Sequence, residues 1–480
     1  MKKSWVPGLL APVALCFFSG VLVAQTLPSV RADVQQTILP VQTRRGAPDL
    51  QCSQRPTAPR ANTTREVDPQ EVPDDVDVQT QLRQFQDVLP NAPLAELRPQ
   101  KRTLWQAQAG QPLRVGIWGD SHLAAAFWSQ EWARLSQLPP DAVGSRFLPA
   151  SMNRPGVRLP LRKSCVGAGW QYEPAHAMPA GASEPGPGLV NMWTQGKDAW
   201  MSLDVRNATA QADKSQLRLL YQQTRDPISL AIRVDGGEEQ RIDLQGREGP
   251  AVLDLVGDDV MSTLELRVLE GPFRLNGLEL PLPVDIRLQL DVFGYPGATV
   301  AGWRQVQATA MAPWWGASTY DVVVMAFGTN EGNVQPFDAA AYTQSLRSSV
   351  AAWRQLFPQA TCLLVAPGDR GILVRRSQKN RSGAVHGTRP VPAKLPDFLK
   401  FTRVHAEIGR IQKQVAQAHG CHFWSMLSAM GGAGGSYRWA QQNPAWMAKD
   451  LIHFTVPGYQ RLAQSMAQDL GWNASVFAPK

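Results

Sequence analysis

The sequence predicts an α/β protein whose parallel sheet is interrupted by an inserted β-sandwich of the jelly-roll type. Strand and helix patterns alternate at residues 113–138 and again from residue 286 onward, which is typical of a parallel sheet covered by helices. Between these regions, residues 199–269 contain short strand-like runs at close spacing, which favour a sandwich. The first strand and helix therefore belong with the later ones, and the α/β domain is discontinuous in sequence.

The composition is that of a globular protein with a mild positive charge. The 480 residues are 44% hydrophobic and 18% charged, and their formal net charge is +8. A chain of this length is expected to form two domains with tails. The basic balance suits an anionic surface such as a cell wall, and charge that only maintains solubility is the alternative.

The first residues have the pattern of a secretory signal peptide. Lys2 and Lys3 precede an uncharged stretch that ends near the small residue Ala24. This pattern predicts cleavage near Gln25 and a periplasmic or secreted protein. The alternative is a retained N-terminal anchor, because the apolar run is about long enough to span a membrane. After cleavage, no transmembrane helix is expected.

These patterns divide the chain into four predicted regions. Residues 1–24 are the signal peptide, and residues 25–77 are a flexible, Pro-rich arm. The α/β domain is predicted to consist of residues 78–140 together with 284–480. Residues 141–283 are the inserted sandwich.

Four cysteines lie beyond the signal peptide, at positions 52, 165, 362 and 421. They lack the spacing of a structural zinc site, and no metal is predicted. Cys362 and Cys421 each lie near the start of a strand-like run, so they can form a disulfide if the two strands are neighbours. Two buried free thiols are the alternative.

A strand-to-helix turn, Gly119-Asp120-Ser121-His122, is the first candidate for chemistry. Such a turn places the Ser121 hydroxyl at the carboxyl edge of the sheet. It also places the Ser121 N–H at a helix N-terminus, where backbone donors are unpaired and negative charge is favoured. This is suitable geometry for a nucleophile. The alternative is that Ser121 only caps the helix.

Three further blocks follow predicted strands, where ligands bind in open α/β sheets. Gly297 lies in a turn that can direct its N–H into the same cleft as Ser121. Asn330 can offer its side-chain amide to an oxyanion. Asp450 precedes His453 by three residues, so its carboxylate can orient the imidazole toward a serine. Turn formation and helix capping are the alternatives for the first two blocks.

In this order the four blocks resemble those of the SGNH hydrolases, also called the GDSL-like family. The resemblance covers about residues 113–471, apart from the insertion. Two positions depart from the family pattern. His122 stands where most members have an apolar residue, and Glu331 replaces the Asp of the usual Gly-x-Asn-Asp block.

The sequence also resembles the bacterial peptidoglycan O-acetylesterases within this family. This second resemblance rests on Met430-Gly431-Gly432, on the segment KDLIHFTVPGY and on the inserted sandwich. In those proteins the insert is similar to a carbohydrate-binding module, whose core strands resemble the segments LAIRVDGG and LNGLEL.

The resemblance implies an SGNH-type three-layer α/β/α domain and a role for each site residue. Ser121 is the nucleophile, His453 is the general base and later the acid, and Asp450 orients His453. The N–H groups of Ser121 and Gly297 and the amide of Asn330 form the oxyanion hole. No metal or organic cofactor is implied.

The implied function is a secreted or periplasmic serine esterase that removes O-acetyl groups from a cell-wall glycan, with peptidoglycan as substrate, through an acetyl-serine intermediate. No nucleic acid partner is expected. Two alternatives stay open at this point: an O-acetyltransferase with the same triad, and a glycan-binding protein with an inert hydrolase domain. A loop with several basic residues, 370–394, is predicted to be a solvated loop. The alternative hypothesis is that it overhangs the cleft and attracts an anionic glycan, because it follows the carboxyl end of a strand.

Overall fold

Strands and helices alternate around a central parallel sheet in the computed structural model of the protein. The structure describes residues 34–52, 75–86, 104–106, 110–179, 184–207, 209–315, 320–373 and 396–477. The predicted signal peptide and most of the basic loop lie outside these ranges. Within them, no helix is long and apolar enough to cross a membrane.

The strands of the described residues, in chain order, are β1 (Gln35–Val41), β2 (Leu113–Gly119), β3 (Val143–Gly144), β4 (Phe147–Pro149), β5 (Lys163–Val166), β6 (Gln171–Pro174), β7 (Val190–Thr194), β8 (Trp200–Asp204), β9 (Lys214–Gln223), β10 (Ile228–Val234), β11 (Gln240–Leu244), β12 (Gly249–Met261), β13 (Thr263–Glu270), β14 (Phe273–Glu279), β15 (Leu288–Gly294), β16 (Val322–Ala326), β17 (Thr361–Ala366) and β18 (His422–Ser425).

The α-helices are α1 (Asp75–Gln86), α2 (Ser121–Ala124), α3 (Phe127–Leu135), α4 (Ala308–Trp315), α5 (Ala339–Leu356), α6 (Lys400–Ala418), α7 (Met426–Ala429), α8 (Gly435–Ala440) and α9 (Val456–Leu470). Short 3-10 helices cover Pro140–Ala142, Ala175–Ala177, Val300–Gln305, Glu331–Asn333 and Ala474–Phe477.

The parallel sheet has the strand order β18-β17-β16-β2-β15-β3. Strand β16 is apolar along its whole length, as expected for a strand that helices cover on both faces. Along β16, Val322 and Val324 face the core beneath α3 and α9, whereas Val323 and Met325 face the core beneath α5 and α6. This arrangement confirms the predicted three-layer α/β/α fold.

The inserted region is a β-sandwich, which confirms the predicted β-rich insertion. One sheet has the order β1-β12-β9-β14-β7-β6, with β4 paired to β14, and the other has the order β11-β10-β13-β8-β5. Their inner faces enclose a separate apolar core that includes Leu219, Leu230 and Leu253. The sandwich therefore buries its own core and can interrupt the α/β domain. The predicted start of the insertion at residue 141 is wrong for β3, because Val143–Gly144 pair in parallel with β15 at the edge of the parallel sheet.

The prediction of a flexible arm over residues 25–77 is wrong for residues 35–41. These residues form β1, which pairs in parallel with β12 at the edge of the sandwich. The edge of β12 offers unpaired backbone groups, and Val41 is buried in the sandwich core. A disulfide from Cys52 to Cys165 on β5 joins the same segment to the other sheet. The composition of residues 25–77 did not predict that part of this segment pairs with β12.

The second disulfide joins Cys362 to Cys421. Cys362 is the second residue of β17, and Cys421 directly precedes β18. The two strands are parallel neighbours, with Leu363 opposite His422. The condition set by the sequence pattern is therefore met, and the bonded form replaces the alternative of two free thiols.

Register brings three strand ends together at the carboxyl edge of the parallel sheet. Gly119, the last residue of β2, pairs with Gly294 of β15 on one side and with Ala326 of β16 on the other. There is no space at these glycines. A Cβ on Gly294 would lie 2.4 Å from the backbone nitrogen of Ala124 in α2. Close backbone contact thus sets the position of α2.

We expect Gly294→Ala to lower the free energy of unfolding by about 1–3 kcal/mol, because the added methyl group meets backbone atoms that cannot rotate away. Urea denaturation measures this change. Gly409→Ala in α6 is the matched control, because its Cβ would lie an ordinary 3.5 Å from that of Ala366. The control should be as stable as the wild type or more stable, since alanine favours helix over glycine. Equal stabilities for Gly294→Ala and the wild type would contradict the packing argument.

Candidate active site

Ser121 is the first residue of α2, directly after the turn that ends β2. Asp120 is the N-cap of this helix, and its carboxylate accepts a 2.9 Å hydrogen bond from the backbone N–H of His122. The capping function that was the alternative for Ser121 is therefore performed by Asp120. The Ser121 hydroxyl instead lies beside the ring of His453.

Ser121, His453 and Asp450 form a hydrogen-bonded chain. Ser121 Oγ lies 3.0 Å from Nε2 of His453, and Nδ1 of His453 lies 2.6 Å from Oδ2 of Asp450. The other oxygen of Asp450 accepts the backbone N–H groups of Ile452 and His453, at 2.9 Å each. Leu451 has a φ of 55°, so a left-handed residue makes the turn tight enough for this contact.

The Asp450 carboxylate holds its charge, and it favours a proton on His453. Burial alone would raise the pKa of Asp450, but the hydrogen bonds from His453 and from two backbone N–H groups lower it to about 2. The hydrogen bond that His453 donates to Asp450 in turn raises the pKa of His453 above its ordinary value. A neutral His453 whose Nδ1–H donates to Asp450 presents Nε2 as an acceptor toward Ser121.

The two further predicted oxyanion donors lie in loops that are bonded to each other. Gly297 follows β15 with a φ of +85°, a left-handed conformation that glycine adopts without strain. Nδ2 of Asn330, after β16, donates a 2.9 Å hydrogen bond to the carbonyl oxygen of Ala298. Since an amide carries two N–H groups, one remains for an oxyanion. The structure thus brings all five predicted site residues to one edge of the sheet.

Glu331 supports these loops, and the sequence marked it only as a departure from the family pattern. Its Oε1 accepts a 2.8 Å hydrogen bond from the backbone N–H of Val300, which ties the Asn330 loop to the Gly297 loop. Burial raises the pKa of Glu331 to about 7 and that of Asp120 to about 6. The side chain of Glu331 is longer than that of the Asp that the family pattern has at this position. We therefore assign Glu331 a positioning role.

His122, whose role the sequence left open, packs against His453. It is buried, its Nδ1 lies 3.3 Å from the hydroxyl of Tyr459, and its ring centre is 5.5 Å from that of His453. Burial lowers the pKa of His122 to about 3. His122 is therefore neutral near pH 7 and packs against His453 without repelling its charged form.

The described residues contain no group of three or more His, Cys, Asp or Glu side chains that could hold a metal ion. Cys421, which lies between His419 and His422, is bonded to Cys362. Side chains and backbone groups of the described residues form the candidate site.

A Ser-His-Asp chain beside backbone donors, at the carboxyl edge of a parallel sheet, has the geometry of a serine hydrolase. Residues 276–461 match the model of the GDSL-like Lipase/Acylhydrolase family. Ser121 precedes the matched range because the sandwich separates it from the other blocks. None of the curated proteins is similar enough in sequence to count as a match.

One similar solved structure is that of a peptidoglycan O-acetylesterase. It is 23% identical, it covers 81% of this chain and 94% of its own, and the TM-score is 0.54. The protein therefore has the fold of an SGNH hydrolase that resembles the peptidoglycan O-acetylesterases, and both resemblances drawn from the sequence are confirmed.

Two other solved structures overlap less with the chain. A salicylyl-acyltransferase from a tetracycline biosynthetic pathway is 13% identical, covers 66% of this chain and 98% of its own, and has a TM-score of 0.26. A carbohydrate esterase family two enzyme with a carbohydrate-binding domain, from Corynascus thermopiles (Myceliophthora fergusii), is 13% identical, covers 63% of this chain and all of its own, and has a TM-score of 0.25.

We expect the imidazole of His453 to titrate above the ordinary histidine value of 6.5, because Asp450 stabilises its protonated form. Asp450→Asn removes that charge and should lower the pKa of His453. An NMR titration of the histidine ring protons measures both values. His122 is the internal control, since it should stay neutral throughout the range around pH 7 in both proteins. A His453 pKa that is the same in the wild type and in Asp450→Asn would contradict the assigned hydrogen bond.

Proposed function

We propose that the protein is a secreted or periplasmic serine esterase that removes O-acetyl groups from a cell-wall glycan, with peptidoglycan as its substrate. The observation that carries this proposal is the chain from Ser121 through His453 to Asp450, with contacts of 3.0 and 2.6 Å. The family match to acylhydrolases supports the reaction class. The name of the similar peptidoglycan O-acetylesterase supports the substrate.

The proposed reaction proceeds in two steps. Ser121 Oγ attacks the acetyl carbonyl carbon while Nε2 of His453 takes the hydroxyl proton, and Asp450 stabilises the imidazolium. The N–H groups of Ser121 and Gly297 and the amide of Asn330 then hydrogen-bond the oxyanion. His453 returns the proton to the departing sugar oxygen, which leaves an acetyl-serine. His453 then deprotonates a water molecule, which attacks the acetyl-serine. As the bond to Ser121 Oγ breaks, His453 returns the proton to this oxygen, and acetic acid leaves and ionises to acetate.

The proposed location has two sources of support. The pattern of residues 1–24 is that of a signal peptide. The disulfides Cys52–Cys165 and Cys362–Cys421 suit an oxidising compartment such as the periplasm or the exterior.

Ser121→Ala should lower the kcat/KM for p-nitrophenyl acetate and for O-acetylated peptidoglycan by more than about a thousandfold, because no other group forms the acyl-enzyme. Acetate release and the thermal unfolding midpoint are measured together. Ser428→Ala is the matched control, because the buried Ser428 hydroxyl has no hydrogen-bond partner among the residues that the structure describes. The control should retain full activity.

Retained activity in a folded Ser121→Ala protein would refute the assignment. Acetylated sugar as the main product, when an acetyl donor and a chitooligosaccharide are supplied, would favour the transferase instead. That outcome would keep the same site and change the group that attacks acetyl-Ser121.

Asn330→Ala should lower kcat by about a hundredfold to a thousandfold with little change in KM, because its amide acts on charge that develops only in the transition state. Steady-state kinetics on p-nitrophenyl acetate separates the two constants. The variant also loses the bond to Ala298, so its unfolding midpoint is recorded. A change in KM alone would show that Asn330 binds substrate and does not stabilise an oxyanion.

A further inference from the structure

Arg370 lies between the two halves of the candidate site. It follows β17, and the next residue, Gly371, donates a 2.9 Å backbone hydrogen bond to the carbonyl oxygen of Leu451. Leu451 is the residue after Asp450, so this bond places Arg370 beside the Asp450–His453 turn. On the other side, Nη1 of Arg370 donates to the side-chain oxygen of Asn333, three residues after Asn330.

The guanidinium of Arg370 lies over an aromatic ring. Its central carbon lies 3.9 Å from the centre of the Phe401 ring, in α6. Stacking on an aromatic face is characteristic of arginine, because its planar group keeps its N–H donors at the edge. Two contacts, with Phe401 and with Asn333, therefore fix the orientation of a side chain that is otherwise long and flexible.

This fixed cation has no counter-ion among the residues that the structure describes. Arg370 forms no salt bridge within them, and its Nε is buried without an acceptor. Among the described residues, Nη1 of Arg370 donates to the side-chain oxygen of Asn333. Asp450 attracts Arg370 from a distance, but the two oxygens of Asp450 are occupied by His453 and by backbone N–H groups. The Nη2 N–H groups of Arg370 can therefore donate to an acceptor that is not part of the described residues.

Burial lowers the pKa of Arg370. A charged group placed in this way, with less than its full set of acceptors, is stabilised when an anion approaches it.

We propose that Arg370 is a specificity-determining residue that binds a carboxylate of the substrate, so that the preferred substrate is an acetylated glycan with a carboxylate near the ester. This inference rests on the proposed esterase function and narrows its substrate class. Arginine suits the role because its planar N–H groups match the geometry of a carboxylate. Two chemical sources of that carboxylate are a lactyl ether on an amino sugar and a uronic acid.

A competing role makes different predictions. The positive charge of Arg370 also lowers the pKa of His453, so it acts on the general base whatever the substrate is. If that were its only role, removal of the charge would shift the pH profile equally for neutral and anionic substrates. A role in recognition changes KM, and only for anionic substrates.

The test compares wild type and Arg370→Met, which keeps an unbranched apolar side chain over Phe401 but removes the charge. Four substrates are used: p-nitrophenyl acetate, an O-acetylated chitooligosaccharide, an O-acetylated disaccharide with a free lactyl carboxylate, and an O-acetylated oligogalacturonide. Arg347→Met is the matched control, because Arg347 is exposed on α5, outside the site. It tests whether loss of overall positive charge has any effect.

For Arg370→Met we expect KM to rise about tenfold or more for at least one of the carboxylate substrates, as for the loss of one charged hydrogen bond. KM for the two neutral substrates should stay within about twofold, as should all values for Arg347→Met. Which carboxylate substrate is affected identifies the source of the carboxylate. Equal changes for all four substrates, or none, would overturn the proposal.

The wild-type values separate failure of this inference from failure of the proposed function. If wild type hydrolyses neutral and anionic glycans with the same KM, Arg370 does not select the substrate and the esterase proposal stands. If wild type hydrolyses p-nitrophenyl acetate but none of the glycans, the glycan esterase proposal fails, and the role of Arg370 fails with it.

Discussion

The site depends on the close backbone contact at the carboxyl ends of three parallel strands. A Cβ on Gly119 would lie 2.5 Å from the carbonyl oxygen of Ala326, and one on Gly294 would lie 2.4 Å from the nitrogen of Ala124. Because neither position has room for a side chain, β2 lies directly between its neighbours and α2 packs on the end of β15. The loops that carry Gly297 and Asn330 leave the same edge.

Buried acids and imidazoles surround the candidate triad, and burial shifts their pKa values toward the neutral forms. The pKa of Asp120 is about 6 and that of Glu331 about 7, both raised by burial, whereas burial lowers the pKa of His122 to about 3. Asp450 is different, because three hydrogen bonds keep its pKa at about 2.

The inserted sandwich separates Ser121 from its partners in sequence, but it touches the site in space. The guanidinium carbon of Arg154 lies 5.3 Å from the ring centre of Tyr295, next to the Gly297 turn. Nε2 of His176 would be 4.0 Å from a Cβ on Gly297. Residues of the insertion therefore lie against the Gly297 turn, so the insertion shapes this side of the candidate site.

Local patterns in the sequence were sufficient for the fold class and for the candidate site. A buried strand, a turn with a small residue and a helix each leave a mark within about ten residues, since the periods of strand and helix are short. Ser121, Gly297, Asn330, Asp450 and His453 all occupy such turns, and the structure places them at one edge. Their catalytic roles stay predictions.

Contacts between distant segments were decided only by the tertiary structure. Strand β1 pairs with β12 more than two hundred positions away, and Cys52 bonds Cys165 across 113 positions. No local pattern encodes such a partner, because pairing depends on which edge and which register are left open after folding. The same reason applies to Glu331 and Arg370, whose functional interpretation depends on neighbours from other loops. The sequence alone thus determined which residues stand at turns, and packing decided what each of them faces.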